Sequence, residues 1–440
     1  MRRIQLRHRF HRRRRRLAAI ALAVLAAPLL VACGEDSSGT PTLTWYQNPD
    51  NGGQAKIAQQ CADASNGAYR VNMQVLPKDA TGQREQLVRR LAAKDSSIDL
   101  MSLDVVYVAE FANAGFLRAF STEDEDEIAE GKLDAPMETG EWEDKLYAAP
   151  FKSNAQLLWY RKAAAKAAGV DPTSPDFTWD KMIAAAESQD KTISEQGSKY
   201  EGYMVWVNAL VASAGGEIVS DVEKGAKADP TIESPEGQKA AKIIGDMARS
   251  SAAPADLSVA QEEQARAAFQ SDNGMFMLNW PYILAAARAA VTEGSLDQSV
   301  VDDIGWARYP RVDADKPSAP PLGGSNLAIG ASTRYPEEAT ALVKCATSLE
   351  SSTQYMLAEG EPSTFAVAYD DPKVIEAYPN APLIRTSIDE GGPRPITPYY
   401  VDVAGAVLAT WHPPDSVRES ETPKESDQFI TEVLRGERLL

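Results

Sequence analysis

Histidine is nearly missing from this chain. Three of its 440 residues are His, and two of them, His8 and His11, fall within the first 16 positions. The one that remains, His412, precedes Pro413 and Pro414, where a surface or capping role is expected. A single imidazole cannot build the usual catalytic zinc site. Cysteine is equally scarce, with three residues and no Cys-x-x-Cys pair. No G-x-S-x-G elbow accompanies His412, and neither a Walker-type glycine loop nor a G-x-G-x-x-G fingerprint occurs. The usual hydrolase, nucleotide-binding and dinucleotide-binding signatures are therefore absent. Carboxylates are plentiful, at 63 Asp and Glu. No pattern singles out a pair for glycoside hydrolysis, which leaves a secreted glycosidase as a remote alternative. The acidic run Glu123–Glu127 lacks the spacing and glycine of a calcium loop and is expected to be a solvated loop. No catalytic residue, metal or cofactor is expected.

Positive charge is also scarce beyond the N-terminus. Nine of the 45 basic residues lie in the first 16 positions, so the chain from residue 33 onward has a net charge of about −27. That balance excludes nucleic acid, whose phosphates require basic patches. It also excludes an anionic membrane surface as a partner beyond any lipid anchor. There is one long apolar run, Leu17 to Val31, directly after the Arg cluster. Its 15 residues suit a signal-peptide core better than a membrane span, which needs about 20. It ends in Leu30-Val31-Ala32-Cys33-Gly34, a pattern that resembles a bacterial lipobox. The reading is a signal peptide over 1–32, lipidation at Cys33 and a polar tether over 33–41. An uncleaved anchor helix is the alternative, and either places the remainder outside the cytoplasm. The Arg cluster leaves general and twin-arginine export both open.

A chain this long exceeds one ordinary core, so two lobes are expected. Leu43–Tyr46, Val71–Leu76 and Ile98–Leu103 read as strands, separated by helical spacing at Ile57, Ala58, Cys61 and Ala62 and at Leu87, Val88, Leu91 and Ala92. This βαβαβ rhythm implies a parallel sheet with helices on its faces. Ligands of such sheets sit at the carboxyl ends of strands, and Asn51 and Asp104 fall at two such ends. Thr178 is expected to cap a helix, and Ser234 another with Pro235 at its first position. Met275–Leu278 and Gly323–Ile329 read as further strands, Asp313–Pro321 as a linker, and Pro336 as the start of a helix carrying Cys345. Outside the cell, Cys61 and Cys345 are expected to pair, with two buried thiols as the alternative.

Several loop-like stretches set amides, carboxylates or Arg beside aromatics: Asn154 with Gln156, Trp206 with Asn208, Asn279 with Trp280 and Tyr282, and Arg394 with Tyr399. That mixture matches sugars, which offer hydroxyls at the ring edge and apolar patches on the ring face.

These stretches also resemble a known family, the extracellular sugar-binding proteins of ABC importers that include maltose-binding protein. The likeness runs through Asp99–Asp104, Leu146–Pro150, Leu157–Tyr160, Ser213–Gly216, Asn279–Pro281 and Gly323–Ile329. Within the family, Leu103–Phe111, Gln156–Tyr160 and Arg394–Tyr399 are similar to the trehalose-binding lipoproteins of mycobacterial trehalose importers. Both Cys61 and Cys345 sit in matching contexts, which supports their pairing.

The resemblance implies an α/β, two-lobed periplasmic-binding-protein fold (type II, maltose-binding-protein-like) with a ligand cleft between lobes. The lobes would be 42–149 plus 322–361, and 150–321 plus 362–440. It implies a monomeric receptor for a trehalose-like α-linked disaccharide, working with an ABC permease. Maltose, a maltodextrin or another glycoside is the alternative ligand. Carried over, Asp104, Asn154, Glu262 and Arg394 would bind sugar hydroxyls, and Glu263 is the alternative to Glu262. Trp280 would stack on a ring face, with Trp206, Asn279 and Tyr399 as neighbours. Gly324 would admit the ligand to the backbone. Asn51 stands where the relatives carry a carboxylate, which weakens one hydrogen bond and leaves the exact disaccharide open.

Overall fold

A computed structural model describes residues 39–440. The signal-peptide and lipobox readings, Cys33 included, and most of the tether lie outside them. Thr40–Leu440 form one compact unit. Two sheets organise it, and nine strands carry them: β1 Thr42–Gln47, β2 Arg70–Val75, β3 Leu100–Asp104, β4 Ala148–Ala155, β5 Leu157–Arg161, β6 Thr192–Ser194, β7 Gly274–Asn279, β8 Ile304–Ala307 and β9 Leu322–Ile329.

The first sheet has the order β2-β1-β3-β9-β4. β1 pairs parallel with β2 and β3, while β9 runs antiparallel to β3 and β4. The βαβαβ expectation therefore holds, with helices Gly53–Ala64 and Ala80–Ala92 as the crossovers. The second sheet has the order β8-β5-β7-β6. The chain passes from one to the other between β4 and β5, with only Gln156 between them. It returns through residues 308–321 to β9. The first sheet keeps β4 to Ala155, past the expected boundary at 150.

Local chemistry explains the helix starts. Thr178 accepts from the Lys181 amide, and Ser234 accepts from the Gly237 amide ahead of Pro235. Such caps satisfy amides that the first turn leaves unpaired. The acidic run differs from expectation, because Thr122–Ala129 is a helix. Ser121 caps it, and Glu123, Asp124 and Glu125 sit in its first turn, where the helix dipole favours negative charge. Lys344 then pairs with Asp124 and Glu127.

Cys61 and Cys345 form a disulfide between helices Gly53–Ala64 and Pro336–Ala346. It returns the late helix to the first strands, beside β1 and β9 in one apolar cluster. Helices Trp179–Ser188 and Glu262–Gln270 pack against the second sheet, and Glu201–Ser213 and Pro235–Arg249 pack on each other. Tyr400–Trp411 and Glu421–Leu434 close the chain against them. Among the described residues no helix is long and apolar enough to cross a membrane.

Candidate ligand-binding site

Two knots of polar side chains join the sheets. The first begins at the carboxyl end of β3. Asp104 Oδ1 accepts from the Val106 amide at 3.3 Å, which fixes its rotamer against the following turn. The same oxygen lies 3.1 Å from Nη2 of Arg394. Arg394 is only 4% exposed, so its charge must be matched locally. Its Nη1 donates to Glu201, the first residue of helix Glu201–Ser213, and Tyr400 donates its hydroxyl to the same Glu201 oxygen. Burial holds the Glu201 carboxyl above its usual range, with Arg394 opposing it. Burial also pushes the phenols of Tyr400 and Tyr107 well up. Their rings meet edge to face, 6.2 Å apart, one from each side. Arg394 Nε finds no protein partner.

The second knot lies along β4 and β9. Lys152 Nζ sits 2.7 Å from Glu361 Oε1, and Asn154 Nδ2 sits 3.4 Å from Glu361 Oε2. Lys152 and Asn154 are two apart on one strand and so share a face. Asn154 Oδ1 is buried without a partner. From the second sheet, β7 delivers Trp280 over Gly323 of β9. A carbon placed on Gly323 would lie 2.8 Å from the Trp280 ring.

Beside this sits Glu262, at the start of helix Glu262–Gln270. Its carboxyl is pushed up to about 7 by burial first, then by Glu361 and Glu263, with Lys152 and Lys78 opposing. Asn279 donates to the Glu262 carbonyl at 3.4 Å and accepts from the Trp280 amide at 2.8 Å. Glu263 is already committed, to Arg266 at 2.6 Å and to the Tyr282 hydroxyl at 2.8 Å.

The expected residues divide accordingly. Asp104 and Arg394 meet in the first knot, Asn154 and Trp280 meet at Gly323 in the second, and Glu262 is tied to Trp280 through Asn279. Trp206 joins neither knot, and the expectation that it neighbours a ligand is corrected. It lies inside helix Glu201–Ser213, fully buried, stacked on Trp179 at 5.9 Å. Asn279 is fully buried too, and its amide orients Glu262 and Trp280 rather than facing the cleft. Gly324 has φ 142°, and a carbon added there would lie 2.4 Å from the Lys152 carbonyl oxygen. Its missing side chain is thus required by strand packing. Tyr399 lies against Gly225. Asn51 is exposed, and its amide donates to Glu359 at 3.0 Å.

Sequence reasoning missed Glu201, Tyr400, Tyr107, Lys152 and Glu361. Lys152 had a signal, since strand alternation places it on the face of Asn154. Glu361 and Glu201 are brought in from 209 and 193 residues away from their partners, and no local pattern marks them. Among the described residues no group of three or more His, Cys, Asp or Glu is placed to hold a metal.

Comparison with known proteins bears on this arrangement. Residues 49–352 match the model of the bacterial extracellular solute-binding proteins. A probable ABC transporter-binding protein of Deinococcus radiodurans is 28% identical over 323 residues, 70% of this chain and 72% of that one. The diacetylchitobiose-binding protein DasA of Streptomyces coelicolor is 24% identical over 355 residues, 76% of this chain and 78% of its own. Among solved structures, maltose-bound MalE3 of T. maritima superposes with a TM-score of 0.77 at 24% identity, covering 88% of this chain and 98% of that chain. The last likeness speaks for the fold, which is α/β and two-lobed, of the type II periplasmic-binding kind.

Proposed function

The chain belongs to the bacterial extracellular solute-binding protein family, the substrate-binding components of ABC transporters, and we propose that it captures an α-linked disaccharide of the trehalose kind. It is not an enzyme in this reading. It binds the sugar, closes, and delivers it to the permease, while Cys33 carries the lipid that holds it at the outer face of the membrane.

One observation carries the sugar reading. Asn279 ties the Trp280 amide, at the end of β7, to the backbone carbonyl of Glu262, whose carboxylate no side chain of the described residues hydrogen-bonds. An apolar ring face next to a free acceptor is what a sugar's two surfaces require. Asn154 Oδ1 and Arg394 Nε add an unpaired acceptor and an unpaired donor. Glu262 serves here rather than Glu263, which Arg266 and Tyr282 already occupy. Binding of diacetylchitobiose and of maltose by similar proteins supports a glycan ligand. The segments around Asp104, Gln156 and Arg394 support trehalose among these.

The lobes are taken as 42–149 plus 322–361 and 150–321 plus 362–440, with the end of β4, to Ala155, counted with the first, and they close on the sugar by a hinge motion. The sugar shifts the open–closed balance only by its differential affinity for the two states. The test is calorimetric titration of residues 34–440 with trehalose, maltose, sucrose and glucose. Micromolar binding of trehalose with much weaker maltose is expected. Preference for another sugar would overturn trehalose and keep the receptor. Binding of none by a folded sample would overturn the sugar reading.

A further inference from the structure

Arg394 is shared between two carboxylates that come from different parts of the fold. Glu201 lies on the side of the second sheet, and Asp104 ends β3 of the first. Arg394 travels with Glu201, because Asn208 of the same helix donates to the Pro393 carbonyl at 3.1 Å. Tyr400 opens the helix that packs on Glu201–Ser213. Glu201, Tyr400 and Arg394 thus form one body, and Asp104 is the partner across the cleft.

A guanidinium is a rigid planar fork. Fixing Nη1 against Glu201 therefore sets the direction of Nη2, which meets Asp104. The other end is preset too, since the Val106 amide holds Asp104. Groups ordered in advance lose less freedom when they meet, so more of their attraction survives as net affinity.

We propose that Glu201 is a positioning residue for closure: with Tyr400 it aims Arg394 across the cleft at Asp104, and sugar capture draws on the resulting ion pair. This rests on the two-lobed receptor reading above. Glu201 receives both Arg394 and Tyr400 on one oxygen, Oε1. An amide at position 201 keeps such an oxygen, and Asp104 still matches the Arg394 charge, so the role assigned to Glu201 is geometric.

The experiment uses residues 34–440, which contain the whole compact unit Thr40–Leu440. Small-angle scattering is recorded without sugar and through a trehalose titration, with calorimetry alongside, for wild type, Glu201→Gln, Glu201→Ala and Tyr400→Phe. Glu201→Ala is expected to give a more extended particle and at least about tenfold weaker trehalose binding, because the guanidinium loses the oxygen that aims it. Glu201→Gln is expected to stay within about twofold of wild type, because its oxygen keeps the guanidinium in place. Tyr400→Phe should weaken binding by about two- to fivefold, the loss of one hydrogen bond. A Glu201→Ala protein that loses thermal stability alone, with shape and affinity unchanged, overturns the proposal. So does a Glu201→Gln protein as impaired as Glu201→Ala, which would make charge the operative property. If Glu201→Ala does not fold, Tyr400→Phe decides, and an unchanged shape and affinity there overturns the proposal. If wild type binds no trehalose, the sugar reading fails separately, while the scattering comparison without sugar still tests the positioning role.

Discussion

Trp280 and Gly323 are in direct contact across the two sheets. Only the absence of a side chain at 323 lets the indole approach, since an added carbon would sit 2.8 Å from the ring. Trp280 is thereby held against β9, half-buried. Trp280→Ala should weaken sugar binding by about 1–3 kcal/mol, the worth of a buried aromatic contact. Calorimetry would read this as roughly a 5- to 150-fold rise in Kd. An unchanged Kd would remove Trp280 from the site.

Glu262 and Glu263 are adjacent but differently engaged. Glu262→Ala should lower sugar affinity by about tenfold or more, as loss of a charged hydrogen-bond acceptor does. Glu263→Ala should act mainly on stability, because it releases Arg266 and Tyr282. The Glu262 carboxyl titrates at about 7. As an ionised acceptor of sugar hydroxyls it should give affinity that falls as pH drops from 8 to 6, and Glu262→Gln should flatten that slope. Affinity rising on acidification would show that its protonated form is the binder.

Glu195 is buried at the end of β6. Its Oε1 accepts its neighbour's amide, from Gln196, at 3.1 Å, while Oε2 has no partner. Burial pushes its carboxyl up to about 8, from 4.5 in the unfolded chain. The raised folded value means that folding takes up a proton between these two pH values. Stability therefore falls as pH rises through about 4.5 to 8, and the loss is complete above 8. Glu195→Gln removes the charging cost. It should match wild type near pH 4.5 and exceed it by roughly 2–4 kcal/mol at pH 8.5, read from urea midpoints. An equal difference at both values would show that Glu195 does not titrate in this window.

The Cys61–Cys345 bond spans 284 residues of sequence. Closing so long a loop restricts the unfolded chain strongly, so the Cys61→Ser, Cys345→Ser double variant should lose about 2–5 kcal/mol of stability. The bond lies in the apolar cluster of helices Gly53–Ala64 and Pro336–Ala346, away from Trp280 and Glu262. Sugar affinity of the folded variant should stay near that of wild type. A large affinity loss with unchanged melting would place the bond's role in the cleft instead.

Much of the fold was legible because its signals are local. Thr178, Ser234 with Pro235, and Pro336 mark helix starts by side-chain chemistry that needs no distant partner. Two local signals were misread. Ser121 followed by acids is itself a helix start, so Glu123–Glu127 form a helix. The unbroken apolar run Tyr203–Val207 marks a helix buried on all sides, which places Trp206 in the core.

The sequence by itself displayed an Arg-rich start followed by an apolar run, the α/β rhythm, the scarcity of His and Cys, and the presence of Asp104, Glu262, Trp280 and Arg394 as polar and aromatic candidates. Periodicity, capping and composition act within a few residues, and a single chain displays them directly. Only the tertiary structure decided which candidates meet. Arg394 found Asp104 290 residues away and Glu201 193 away, and Glu361 found Lys152 across 209. A buried charge takes its partner from whatever the folded chain brings within 3 Å or so, and sequence spacing carries no record of that.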